Sequence, residues 1–295
     1  MTARKTSDHI VVDAHHHLWD PARGYDWLDA PELTPIRRVF TADELRVELA
    51  AHGVHRTVLV EGGRCHADEV AEHLAIAADT AQIAGVVAWA DLTDPDLPGT
   101  LAGYRTLPGA VKLVGVRDQV QGRPAPGFLA EPAAAAGLAA VGAAGLAFDL
   151  VVRVDQIPAA ALAAAAAPDV RFVLDHLGKP RIAAGAAGLA EWRTAVAPLA
   201  ACRNVAAKLS GLVTEADWTQ WTVADLRPFV ATAVELFGPD RLMFGSDWPV
   251  CTTVASYGRV LAALREALPD LTDAERADVF GGTAIRTYGL EVGHT

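Results

Sequence analysis

The chain has 295 residues, 52% of them apolar, a formal net charge of −11 and three cysteines. The length suits one large α/β domain with a substantial core, and the acidic balance argues against nucleic acid or an anionic membrane surface as the main partner. Cys65, Cys202 and Cys251 lie far apart with no Cys-x-x-Cys pair, which argues against a disulfide framework or a thiolate zinc site and makes a reducing cytoplasm the expected setting.

Met1–Asp8 is polar and has no apolar core, so no signal peptide is expected. The first strand is expected over Ile10–Asp13, and Ala14-His15-His16-His17-Leu18-Trp19-Asp20 follows it. Residues two apart in an extended chain share a side, so His15 and His17 converge while His16 turns away. Two neutral imidazoles aimed at one point suit a divalent metal or a polarised carbonyl. His17–Phe40 reads as a long Trp- and Pro-containing loop, either a lid or substrate wall or a packed surface loop.

Thr41-Ala42-Asp43-Glu44 is a capping box whose helix ends at Gly53. Strands are expected at Thr57–Glu61, Gly85–Ala90, Val111–Val116 and Leu146–Val151, with an amphipathic helix over Ala67–Thr80. Pro132–Phe148 is uncharged, but its Ala and Gly make it too weakly apolar to span a membrane. Asp155 is placed to cap a helix starting near Pro158 and running through Ala159–Ala167. Further strands are expected at Val170–Asp175, Val205–Leu209 and Leu242–Gly245. Thr222-Val223-Ala224-Asp225 opens a helix that reaches Phe237-Gly238, and Thr272–Thr287 reads as a terminal helix packed over the outside.

These eight strands are near-continuous apolar runs, as in parallel strands covered on both faces. Their alternation with helices points to an α/β fold, a closed (β/α)8 TIM barrel in a single domain over residues 1–295 with its core at about residues 10–289. In that architecture function gathers at the C-terminal strand ends. Those ends carry His15 and His17, Glu61, Arg117, Asp175-His176-Leu177-Gly178-Lys179-Pro180, Lys208-Leu209-Ser210-Gly211 and Gly245-Ser246-Asp247-Trp248-Pro249.

Together with His-x-His-Leu-Trp-Asp-Pro, these motifs resemble the amidohydrolase superfamily, and within it the amidohydrolase-related branch of sugar-lactone and dicarboxylate-lactone hydrolases. The resemblance covers Val11 to about Gly289 and implies a distorted (β/α)8 barrel that hydrolyses a ring ester. It carries His15, His17 and His176 into the imidazole positions and Asp247 into the eighth-strand carboxylate; these four would hold a metal. It places Arg117 against the substrate, with Glu61, Trp27 and Lys208 as further substrate-site candidates by position. The fifth strand has no histidine, and Lys112 starts the fourth strand at the wrong end to bridge two metals. The expectation is therefore one divalent ion, Zn²⁺ first, or a metal-free site.

The expected reaction is lactone hydrolysis on a small molecule, with Asp247 as general base on water and the histidines polarising the carbonyl directly or through the metal. The alternative is a metal-dependent decarboxylase of an aromatic or unsaturated acid on the same scaffold. Neither nucleic acid nor membrane is expected as a partner, and the chain is read as a monomer or homodimer. Ser210 and Ser246 lack a Gly-x-Ser-x-Gly elbow, which disfavours a serine hydrolase.

Overall fold

The computed structural model describes residues 9–292; Met1–Asp8, where no leader is expected, lies outside them. Eight parallel strands follow one another around the sheet: β1 (Val12–His16), β2 (Arg56–Val60), β3 (Ile83–Trp89), β4 (Leu113–Asp118), β5 (Ala147–Leu150), β6 (Arg171–Leu174), β7 (Val205–Leu209) and β8 (Leu242–Phe244). The ring closes through the segment after β8. Asp247 N–H donates to the His15 carbonyl at 2.8 Å, and His17 N–H to the Trp248 carbonyl at 2.7 Å. The result is a (β/α)8 barrel.

Around it run α1 (Ala42–His52), α2 (Ala67–Asp79), α3 (Leu97–Tyr104), α4 (Pro132–Ala143), α5 (Ile157–Ala166), α6 (Gly185–Ala200), α7 (Val223–Phe237) and α8 (Tyr257–Ala267). Two starts follow from local chemistry. Thr41 and Glu44 form a reciprocal capping box for α1, which ends at Gly53 in the left-handed region, φ 67°. Thr222 and Asp225 do the same for α7. Asp155 does not cap α5. It lies in a 3-10 turn, Val154–Gln156, and its carboxylate pairs with Arg153; a side chain held there cannot reach the first-turn N–H groups of α5.

The terminal helix also departs from expectation. It breaks into α9 (Asp273–Ala277), a wide turn over Asp278–Gly282, and α10 (Thr283–Tyr288). A Cβ at Gly281 would lie 2.1 Å from the Ile10 carbonyl, so the chain bends there against the start of β1. Ala284 and Tyr288 then pack with Val12, Val58, Ala147 and Met243 inside the barrel. α10 plugs the N-terminal end of the barrel instead of lying over its outside.

β1 contains the irregularity that sets up the site. Asp13 pairs with Thr57 but His16 with Leu59, so Ala14 and His15 face Val58 alone. Such a bulge shifts the alternation of side chains. Val12 and Ala14 point into the barrel below it, and His15 and His17 above it. Asp13 points the other way, accepting from the Ser246 N–H at 2.8 Å and Tyr257 Oη at 3.0 Å; burial pushes its carboxyl up to about 6.

The loop from Leu18 to Phe40 is packed in place. Trp19 Nε1 donates to the Ile36 carbonyl at 3.1 Å, Trp27 Nε1 to the Gly62 carbonyl at 2.8 Å, and buried His73 to the Leu18 carbonyl at 3.2 Å. Burial lowers the His73 imidazole to about 4. A base whose folded pKa lies below its unfolded value stabilises fully above the unfolded pKa, near 6.5, and loses that contribution as pH falls toward the folded one. His73→Gln keeps a donor for Leu18 but cannot titrate. Its stability relative to wild type is expected to improve by about 1.4 kcal/mol per pH unit between 6.5 and 4, read from urea unfolding at stepped pH. A constant difference would contradict this.

Candidate active site

A cavity of about 420 Å³ opens at the C-terminal end of the barrel, lined among others by His17, Trp27, Arg117, Gln119, His176 and Asp247. His15 lies at its floor, with Nε2 3.1 Å from His17 Nε2. Asp247 Oδ1 stands 3.8 Å from His15 Nε2, 3.6 Å from His17 Nε2 and 3.9 Å from His176 Nε2. Four atoms thus converge from three places in the chain. Tetrahedral Zn²⁺ with bonds of 2.0–2.2 Å sets its ligands about 3.3–3.5 Å apart. The donor set fits one such ion after small adjustments, and His15, His17 and Asp247 are close enough to hold it.

Neighbours orient the imidazoles. His17 Nδ1 lies 3.0 Å from the Val60 carbonyl, so Nδ1 carries the hydrogen and Nε2 keeps its lone pair toward the site. His176 Nδ1 is 2.9 Å from Ser210 Oγ. His15 Nδ1 lies between Lys208 Nζ at 3.1 Å and Asp175 Oδ1 at 3.3 Å. Burial lowers His176 to about 4, keeping it neutral. Burial pushes the Asp247 carboxyl up, but the adjoining imidazoles of His176 and His17 outweigh this and hold it below the usual range. Asp247 is therefore an ionised carboxylate beside the neutral imidazoles of His15 and His176.

Below the floor a buried polar column runs down the barrel axis. Tyr288 Oη donates to Asp149 at 2.8 Å, and Lys208 Nζ donates to Asp149 at 2.6 Å and pairs with Asp175 at 2.9 Å. Arg117 bonds the other Asp175 oxygen through Nη1 at 2.9 Å, Glu61 Oε1 through Nε at 2.5 Å and the Glu61 carbonyl through Nη2 at 2.6 Å. Burial opposes charge on Asp175, but Lys208, His15 and Arg117 overcome it and hold its carboxyl well below the ordinary value.

Sequence reasoning placed eight residues at the site, and the structure separates them. His15, His17, His176 and Asp247 converge. Trp27 and Arg117 line the cavity, with three Arg117 donors already committed. Glu61 and Lys208 are fully buried beneath it: Glu61 touches the cavity-lining Arg117, Gln119 and Gly63, and Lys208 touches His15. The roles of Asp149 and Tyr288 were missed. Asp149 had a signal: a charge inside a strand buried on both faces requires a partner, and Lys208 has the same position in β7.

Gly211 has φ +62°, and a Cβ there would lie 2.6 Å from His176 Nδ1 and 3.2 Å from Asp247 Oδ2. Gly211→Ala is expected to displace both groups and lower kcat/KM about 100-fold, with a stability loss of about 1–2 kcal/mol from the left-handed backbone. Steady-state kinetics with a thermal melt checks this; unaltered kinetics would contradict it.

Comparisons with known proteins agree with this geometry. The chain is 39% identical over 291 residues to L-fucono-1,5-lactonase of Burkholderia multivorans, covering 95% of this chain and 96% of that protein. It is 34% identical to L-fucono-1,5-lactonase of Burkholderia ambifaria, at 95% and 96% coverage. A crystal structure of an amidohydrolase from Burkholderia multivorans with bound Zn superposes with a TM-score of 0.89 at 37% identity, covering 96% of this chain and all of that one. The amidohydrolase family model matches residues 12–290. With its barrel and His/Asp site, the chain belongs to the amidohydrolase family.

Proposed function

We propose that the protein hydrolyses the lactone of a sugar acid, with Asp247 as general base. The observation that carries this reading is the ionised Asp247 carboxylate within 4 Å of three imidazoles at the floor of the cavity at the C-terminal end of the barrel. Support for a neutral sugar ring comes from Arg117, the one guanidinium among the described cavity residues. Glu61 and Asp175 already hold it, so it is not a free clamp for a substrate carboxylate. Trp27 offers an apolar wall for a ring.

Water beside Asp247 loses a proton to the carboxylate as its oxygen attacks the lactone carbonyl. His15 and His176 flank the position where negative charge develops, while the His17 Nε2 lone pair suits a metal-ligand role instead. The ring C–O bond then breaks, and Asp247 returns the proton to the leaving oxygen, giving the open hydroxy acid. His15, His17, Asp247 and His176 would hold a single Zn²⁺, which supplies Lewis-acid polarisation and a more acidic water when bound.

The test is a pH-indicator assay across aldonolactones, before and after treatment with dipicolinate. Acid release well above the spontaneous rate, lost on chelation and restored by Zn²⁺, is the expected result. The free state of Cys65, Cys202 and Cys251 supports a reducing cytoplasm as the setting.

A further inference from the structure

After β6 the chain passes through four successive residues with positive φ: His176 53°, Leu177 52°, Gly178 71° and Lys179 54°. Three of them carry side chains, which this backbone disfavours. The turn is held from outside. Trp192 Nε1 donates to the Leu177 carbonyl at 2.6 Å, Lys179 N–H donates to the His176 carbonyl at 2.9 Å, and Leu177 is fully buried. Residues three apart in a helical turn share a side, and here both His176 and Lys179 line the cavity. The proposed reaction uses His176. It leaves Lys179 without a task, although a costly backbone aims it inward.

Glu215, from the turn Val213–Glu215 after β7, lines the same cavity. Lys179 and Glu215 are half-buried, and among the described residues neither has an ion-pair partner within 4.0 Å. Both also line an adjoining outer cavity of about 440 Å³, so they stand at the rim between the two. The outer cavity's arginines are engaged, Arg153 with Asp155 and Arg181 with Glu191. Lys179 and Glu215 are therefore the uncommitted charges at that rim. Opposite in sign on the same rim, they offer no net attraction to an anion. They do offer N–H donors and carboxylate acceptors, which suit hydroxyl groups, each both donor and acceptor.

We propose that Lys179 and Glu215 form the subsite that reads the ring hydroxyls of the substrate away from its carbonyl, selecting a polyhydroxylated lactone over a bare one. This rests on the lactonase reading. The test compares kcat/KM for a hydroxylated 1,5-aldonolactone and for δ-valerolactone in wild type, Lys179→Met, Glu215→Leu and Glu215→Gln. The ratio of the two values is expected to fall at least about tenfold in Lys179→Met and Glu215→Leu, mainly through KM, because a site built for substrate hydroxyls loses their bonds. Glu215→Gln, which keeps an acceptor, should recover part of it. A ratio unchanged in every variant would overturn the proposal, whether both rates fall together or neither moves. Binding of a polyhydroxylated δ-lactam against δ-valerolactam, followed by tryptophan fluorescence, applies the same ratio without turnover. Wild type that opens no lactone yet prefers the hydroxylated lactam would refute the lactonase reading and keep the subsite; equal binding of both lactams would overturn the subsite.

Discussion

Asp247→Asn is expected to lower kcat for lactone opening by about 10²–10⁴-fold, the usual contribution of a positioned general base, while the protein stays folded. The backbone explains why the fold should survive. Asp247 sits at φ 57°, and Asn is among the few residues that enter the left-handed region readily. Its N–H can still donate to the His15 carbonyl and keep the barrel closed. What is lost is the charge, and with it the ability to take a proton from water. Steady-state kinetics alongside near-UV circular dichroism separates the two effects. Wild-type turnover in a folded variant would remove Asp247 from the mechanism.

Lys208→Met should cost about 3–5 kcal/mol of stability, the penalty for leaving buried charges without their partner. Lys208 is fully buried and touches Asp149, Asp175 and His15. Without it the two carboxylates face each other, and the deficit should shrink with acidification. Burial already pushes the Asp149 carboxyl up, and the loss of its cation raises it further. An acid whose folded pKa is raised lowers stability as pH climbs through that range and regains it as pH falls. Tyr288→Phe should cost less, about 1–3 kcal/mol, because Lys208 still holds Asp149 Oδ2 while the buried Oδ1 loses its hydrogen bond. Urea unfolding at pH 5.5 and 7.5 checks the pair. A Lys208→Met deficit of under about 1 kcal/mol at both pH values would mean that the column is not held by its charges.

Much of the barrel was legible because its strands are covered on both faces, so apolar runs mark them directly; β7 and the ends of α1 and α7 fell where the residues placed them. The convergence of His15 and His17 followed from strand alternation, although a bulge at Ala14–His15, invisible to that rule, sets which side they face. Lys208 and Glu61 illustrate the limit. Position at a strand end says that a side chain is near the site, but not whether it lies in the cavity or one layer below, since that depends on partners from other strands. α10 was misplaced for a similar reason: its plug role depends on the close approach of Gly281 to Ile10, a long-range contact with no local signature.

The most direct test of the account is the initial rate of acid release from L-fucono-1,5-lactone and related aldonolactones, with CO₂ release from hydroxybenzoates measured in parallel. The account predicts kcat/KM of at least about 10⁴ M⁻¹s⁻¹ on an aldonolactone, within the ordinary enzymatic range, and no CO₂. Acid release no faster than spontaneous opening across the panel, or CO₂ evolved from an aromatic acid, would contradict it.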